Sequence, residues 1–150
     1  MYRPFIGKWT SVLYRISQSY FDHCFEQYGI GSGHFVYLIV LYRKDGLNQD
    51  TMSKLLHIDK ANTTRALMKL ESLGYITRKI NPCDKRSYIV YLTERGRSIE
   101  QAVKQELQNW ELLITGGMTV EERIASYDLL RKMAENAIAL KERNFFYEPF

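Results

Sequence analysis

A mainly α-helical chain carrying one small β-hairpin, the α+β class, is predicted by three observations. Apolar residues recur at steps of three and four through most of the 150 residues. Two short stretches, Tyr75 to Ile80 and Ser87 to Leu92, are instead rich in β-branched and aromatic residues. Cap and breaker residues stand between the periodic segments. A chain of this length is about one domain and can bury roughly two thirds of the surface its unfolded form exposes. No linker composition, low-complexity run or repeat interrupts it, so 1-150 is read as a single unit.

From Phe5 to about Tyr28, Ile6, Trp9, Leu13, Ile16 and Tyr20 mark one side of a long amphipathic helix, which Gly29 to Gly33 ends. Ser32 is expected to cap a second helix, Gly33 to about Arg43. Its apolar residues lie nearly all round it, so it belongs at the centre of the core. Asp45-Gly46 is a turn signal, and Asn48 should cap a third helix through Leu56 with Met52, Leu55 and Leu56 inward. Asp59 should cap a fourth, ending at Leu73-Gly74, where glycine can take the left-handed C′ conformation. Two short helices joined by about three residues make a helix-turn-helix pattern. On the fourth helix Thr63, Ala66, Leu67 and Leu70 share one side at about 100° per residue, leaving Lys60, Ala61, Asn62, Thr64, Arg65, Met68 and Lys69 outside.

The two β-rich stretches form a hairpin whose polar connection, Asn81 to Arg86, is expected to project Lys85 and Arg86 at its tip, with Lys79 on the shaft. Thr93 should cap a helix running to about Thr115, which Gly116-Gly117 breaks. Thr119 and Glu122 form a capping box for a last helix to about Arg143. The aromatic tail, 144-150, is expected to pack on something, because left exposed it would form an apolar patch.

Charge is concentrated in the middle. Lys54 to Arg97 holds ten Lys or Arg against four acids, a net +6, whereas the whole chain is +4 and the remainder therefore −2. One third of the sequence is suited to meet a polyanion. Small, hydroxyl, amide and basic residues on the outer face of the fourth helix suit a major groove, and a long Arg on the hairpin suits a minor groove. Lys54, Lys60, Asn62, Thr64, Arg65, Lys69, Lys79, Lys85 and Arg86 are the candidate DNA-binding residues that charge and placement point to.

Other chemistry finds little support. The longest apolar run, Phe35 to Tyr42, is far shorter than the roughly 20 residues a membrane helix needs, so a cytoplasmic protein without membrane contact is expected. Cys24 and Cys83 show no C-x-x-C spacing and fit a reducing compartment; Cys24 is read as a packed thiol and Cys83 as exposed. His23, His34 and His57 are scattered, so no metal or cofactor is implied. No nucleophile elbow, phosphate loop or paired-carboxylate arrangement accompanies the Ser, His and Asp residues, which argues against an enzyme.

The order helix, helix, helix-turn-helix, hairpin, two long helices resembles the MarR family of bacterial transcriptional regulators over nearly the whole chain. The most specific part is Asp84-Lys85-Arg86 followed by a strand ending in Leu92-Thr93-Glu94-Arg95-Gly96, similar to that family's D-x-R wing and L-T-x-x-G. Leu70-Glu71-Ser72-Leu73-Gly74-Tyr75-Ile76 resembles its L-E-x-x-G-[LY]-[IV] exit from the recognition helix.

The resemblance implies a mainly α (α+β) winged helix-turn-helix with about six helices and a two- to three-stranded β wing. Residues 33-93 would bind DNA, and the helices of 1-30 and 94-150 would interlace in a homodimer. It places Thr64 and Arg65 at groove-reading positions, Arg86 at the wing's minor-groove position, and Asp84 where a bidentate pair would steady an arginine. The expected function is sequence-specific binding of duplex DNA as a homodimeric repressor on a pseudo-palindromic operator. Release by a small aromatic effector is also implied, with Trp9, Tyr14, Tyr20, Phe35 and Tyr37 as candidate ligand-binding residues. The competing reading is a winged-helix protein-interaction module without DNA binding, against which the cationic wing argues.

Overall fold

A computed structural model describes residues 5–143. The chain divides into two compact units, 1–110 and 111–150. The aromatic tail, 144–150, lies outside the described residues.

The first unit begins with α1 (Ile6–Phe25), a single 3-10 turn (Glu26–Tyr28) and α2 (Ser32–Arg43). The cap of α2 differs from expectation. Gly31, not Ser32, is the N-cap; Ser32 is already helical, and its N–H donates to Asp22 Oδ1 of α1 at 2.7 Å. His34 completes the cap by accepting the Gly31 N–H on Nδ1 at 3.1 Å. The free amides of the helix start are thus met from a neighbouring helix and from one turn ahead, partners that a local cap rule does not consider. Phe35, Tyr37, Leu38 and Leu41 of α2 are buried. Phe35 packs against Phe21 and Phe25 of α1, with ring centroids 4.6 and 5.0 Å apart.

The helix-turn-helix follows a two-residue strand, β1 (Leu47–Asn48), and consists of α3 (Gln49–Leu56) and α4 (Lys60–Ser72). Asn48 caps α3 by accepting the Asp50 N–H at 2.8 Å, and Asp59 caps α4 by accepting the Asn62 N–H at 2.8 Å. Met52 is buried as expected, but Leu55 is not: it is 58% exposed. A helix of eight residues offers the core one narrow side, and Met52 with Ser53 fills it. Between the helices His57 takes φ 54°, a left-handed conformation that costs a residue with a Cβ. Thr63, Ala66, Leu67 and Leu70 are buried together on α4. Gly74, at φ 77°, ends that helix.

Strands β2 (Ile76–Asn81) and β3 (Asp84–Leu92) pair antiparallel, with β1 on the far side of β3, giving the order β1-β3-β2. The hairpin is tighter than expected. Its turn is Pro82-Cys83, so Asp84, Lys85 and Arg86 lie within β3 and not in a projecting loop. Side chains of Asn81 and Ser87 bond across at 3.1 Å, and the Cys83 N–H bonds Asn81 Oδ1, which closes the turn early.

The helix expected from Thr93 to about Thr115 is divided at Ile99 into α5 (Glu94–Ser98) and α6 (Glu100–Ile114). Thr93 caps α5 through the Gly96 N–H at 3.0 Å. Gly96 sits so close to β2 that a Cβ there would come within 2.2 Å of the Tyr75 carbonyl oxygen. α6 is fastened to α1 by Glu106, whose Oε2 accepts from Tyr20 Oη at 2.8 Å and from Cys24 Sγ at 3.4 Å. Burial pushes the Cys24 thiol above its ordinary range, so it stays protonated.

The second unit contains α7 (Val120–Glu142), opened by the Thr119–Glu122 capping box. None of its side chains is buried, although Val120, Ile124, Tyr127 and Leu130 follow the helical step. On α1, Ile6, Trp9 and Ile16 are likewise exposed, as is its N-cap residue Phe5. Among the described residues, no helix is long and apolar enough to cross a membrane.

Candidate nucleic-acid interface

The outer face of α4 follows from its packing. With Thr63, Ala66, Leu67 and Leu70 buried, the helical step turns Lys60, Ala61, Asn62, Arg65, Met68 and Lys69 outward, with Thr64 half-buried beside them. Tyr37 of α2 donates to Thr63 Oγ1 at 3.2 Å, so the buried hydroxyl is satisfied and α4 is locked to the core. Gln49 Nε2 donates to Thr64 Oγ1 at 2.8 Å, which fixes α3 and α4 relative to each other. Asn62 is held from both sides: its N–H and amide bond Asp59, and Arg65 Nη2 donates to its Oδ1 at 2.6 Å. The bonds from Asn62 hold the Asp59 carboxyl below the usual carboxylate range.

The wing is tied to this helix by residues outside the sequence-derived set. Arg78 of β2, 14% exposed, donates through Nε and Nη2 to Glu71 Oε2 at 3.0 and 2.8 Å; its N–H meets Oε1 at 3.0 Å. Its guanidinium also lies 5.0 Å from the Tyr88 ring centroid. The strand period places Arg78 with Ile76 on the side facing α4, and Lys79 on the other. Lys79 accordingly stands over Tyr91, 5.3 Å from the ring centroid and off the α4 side. Strand alternation also separates Lys85 from its neighbours Asp84 and Arg86.

Asp84 does not grip Arg86 by a bidentate pair. Oδ1 alone accepts the Arg86 N–H at 3.1 Å and Nε at a long 3.4 Å, and the Arg86 side chain remains 94% exposed. With only that contact on its side chain, Arg86 is free to reach outward.

Between α3, α4 and the wing lies a cleft of about 550 Å³ lined by Gln49, Asp50, Ser53, Lys60, Thr63, Thr64, Arg78, Asp84, Arg86, Ser87 and Tyr88. Lys60 is paired with Asp50 at 3.4 Å. Arg65 does not line this cleft. One residue beyond Thr64, it is turned about 100° round the helix. With Asn62 it borders a second cleft of about 400 Å³ that also includes Tyr14, Gly33, His34, Tyr37, Ile58 and Ala66. Lys54 and Lys69 are exposed outside both.

Of the five aromatic candidates, only Tyr14 and Tyr37 meet at one cleft. Phe35 is in the core, Tyr20 is stacked near Trp110 with centroids 5.0 Å apart, and Trp9 is exposed beneath Lys8.

Arg78, Gln49, Ser87 and Glu71 were missed by sequence reasoning. Period-two alternation from buried Ile76 could have singled out Arg78 as an inward cation requiring a partner. Nothing local pointed to Gln49. Among the described residues no group of three or more His, Cys, Asp or Glu could hold a metal ion.

Comparison with known proteins agrees with this geometry. The sequence profile of the MarR family matches residues 30–88. The uncharacterized HTH-type transcriptional regulator YdgJ of Bacillus subtilis (strain 168) is 33% identical over 108 residues. That is 72% of this chain, and the match spans 66% of that relative's length. The crystal structure of a MarR transcriptional regulator from Methanosarcina mazei Go1 superposes with a TM-score of 0.86 at 40% identity, covering 92% of this chain and 99% of that one. A MarR family regulator from Listeria monocytogenes, solved in complex with 26mer DNA, gives 0.81 at 25% identity, covering 90% and 89%. The relatives are transcriptional regulators, not enzymes, and the winged helix-turn-helix built from α3, α4 and the β2–β3 hairpin is theirs. The chain belongs to the MarR family.

Proposed function

We propose that the protein is a homodimeric repressor that binds a pseudo-palindromic site on duplex DNA in the cytoplasm. In this reading α4 enters a major groove and the β2–β3 wing lies at the flanking minor groove. The observation that carries it is a set of exposed cations without carboxylate partners. Among the described residues Lys54, Arg65, Lys69 and Lys85 have no carboxylate within 4.0 Å. Arg86 is held by only one long contact. Such charges gain most from phosphate and from the negative potential of a narrow groove. The small Ala61 on the outer arc of α4 permits close approach to base edges, with Asn62, Thr64 and Arg65 beside it.

A second copy is the economical partner for the exposed apolar residues of α1 and α7. A two-fold axis would set the two α4 helices about 34 Å apart, one turn of duplex. The test is a titration of labelled duplex selected from random DNA at several salt concentrations. With about six phosphates neutralised per dimer, log K falls against log salt with a slope near −5. Absence of duplex binding at low salt would favour the protein-interaction module instead.

The second cleft supports release by a small aromatic acid. Tyr14 offers a ring, Tyr37 a buried wall, and Arg65 a cation for a carboxylate. An Arg65 guanidinium paired with a ligand carboxylate in the cleft cannot serve the groove at the same time. Occupancy and DNA binding would therefore compete for one residue, and Tyr14→Ala should weaken salicylate-induced release while leaving DNA affinity in its absence unchanged.

A further inference from the structure

We propose that the groove between α2 and α3 is a separate binding site for a small amphipathic carboxylate. It encloses about 530 Å³, within the range of small-molecule sites, and shares no lining residue with either cleft described above. Its walls are apolar, with Val36 and Val40 from α2, Leu47, and the exposed Leu55 from α3. A single exposed leucine is unremarkable on any surface. Here it continues the wall of a trough that already exists.

The trough includes two consecutive cations, Arg43 and Lys44, both exposed at the end of α2. A helix C-terminus favours a cation in any case, so Arg43 alone would say little. What the helix dipole leaves unexplained is the pair standing beside an apolar trough. Neither has a carboxylate within 4.0 Å among the described residues. The nearest acid in sequence, Asp45, is already engaged by Arg97 and by the Leu92 N–H.

The chemistry of the walls and the rim selects the ligand class. An apolar body gains from leaving water for the trough, and one terminal carboxylate gains charge-assisted bonds from the cations. A cationic amphiphile would be repelled, and a neutral one would gain nothing from the rim.

The experiment is calorimetric titration of the full chain with decanoate and with decanol. Expected is saturable binding of one decanoate per chain, with decanol at least tenfold weaker. Arg43→Gln combined with Lys44→Gln, and separately Leu55→Asp, should each weaken decanoate at least tenfold with the thermal midpoint unchanged. Tyr14→Ala, at the other cleft, should leave decanoate affinity as it was. The proposal is overturned by any of four results: no saturable binding, equal affinity in the double variant or for decanol, sensitivity that follows Tyr14→Ala, or a dimer that Leu55→Asp converts to monomer. The last would assign the groove to a second copy of the chain.

Discussion

Helices α4 and α7 answer the same problem in opposite ways. α4 buries Thr63, Ala66, Leu67 and Leu70 and presents cations and amides outward. α7 is 23 residues long and buries none of its side chains, in spite of Val120, Ile124, Tyr127 and Leu130. The difference separates two kinds of surface. Where the apolar side of a helix is already covered, what remains outside is free to carry recognition chemistry; where it is not, association is the expected outcome.

The comparison breaks most readily at Leu67. Leu67→Ala should cost roughly 2–5 kcal/mol in denaturant unfolding, by lost burial and the cavity left behind. Ile124→Asp should instead move the sedimentation coefficient from dimer toward monomer. A tolerated Leu67→Ala, or unchanged sedimentation for Ile124→Asp, would erase the contrast.

Arg86 and Arg78 sharpen it within the wing. Arg86→Ala should weaken duplex binding by about 1–3 kcal/mol, read by fluorescence anisotropy, with unfolding unchanged because the side chain is exposed. Arg78→Ala should cost about 1–3 kcal/mol of stability, since it strands Glu71 and frees the wing from α4. Lys79→Ala, one residue away on the opposite face, should stay within about 0.5 kcal/mol in the same unfolding experiment.

A smaller effect is expected from pH. Burial, and then the Lys69 charge, push the His34 pKa below its ordinary value, with Asp22 opposing. The folded state therefore prefers the neutral ring, whose Nδ1 accepts the Gly31 N–H. Its contribution is complete above the unfolded value of about 6.5 and declines as pH falls through that value toward the lower folded one. His34→Gln should flatten the fall of thermal midpoint between about pH 7 and pH 5. The smallest change is expected at Asp59, whose folded pKa is depressed. Its stabilisation is present above the unfolded carboxylate range and is lost as pH drops through the folded value, so Asp59→Ala should remove that acid limb from the melting curve.

Much of the fold was legible because its signals act over a few residues. Asn48, Asp59, Thr93 and Thr119 each cap the helix that immediately follows, and Gly74 ends α4 two residues after its last helical one. The candidate site was legible as a list of residue types and less so as an arrangement. Thr64 and Arg65 are adjacent in sequence yet border different clefts. Arg78 joins the wing to α4, yet residue type alone does not separate it from its neighbour Lys79.

By itself, the sequence determined the order and type of the elements, the cationic middle and the family, because caps, periodicity and charge depend on neighbours three or four residues apart. Tertiary structure alone decided which strand face each wing cation occupies, that the hairpin closes at Pro82-Cys83, and that Glu106 binds Tyr20 and Cys24 from 86 and 82 residues away. Those outcomes depend on partners brought together only by folding, and the bonds they make cannot be counted until the chain has closed around them.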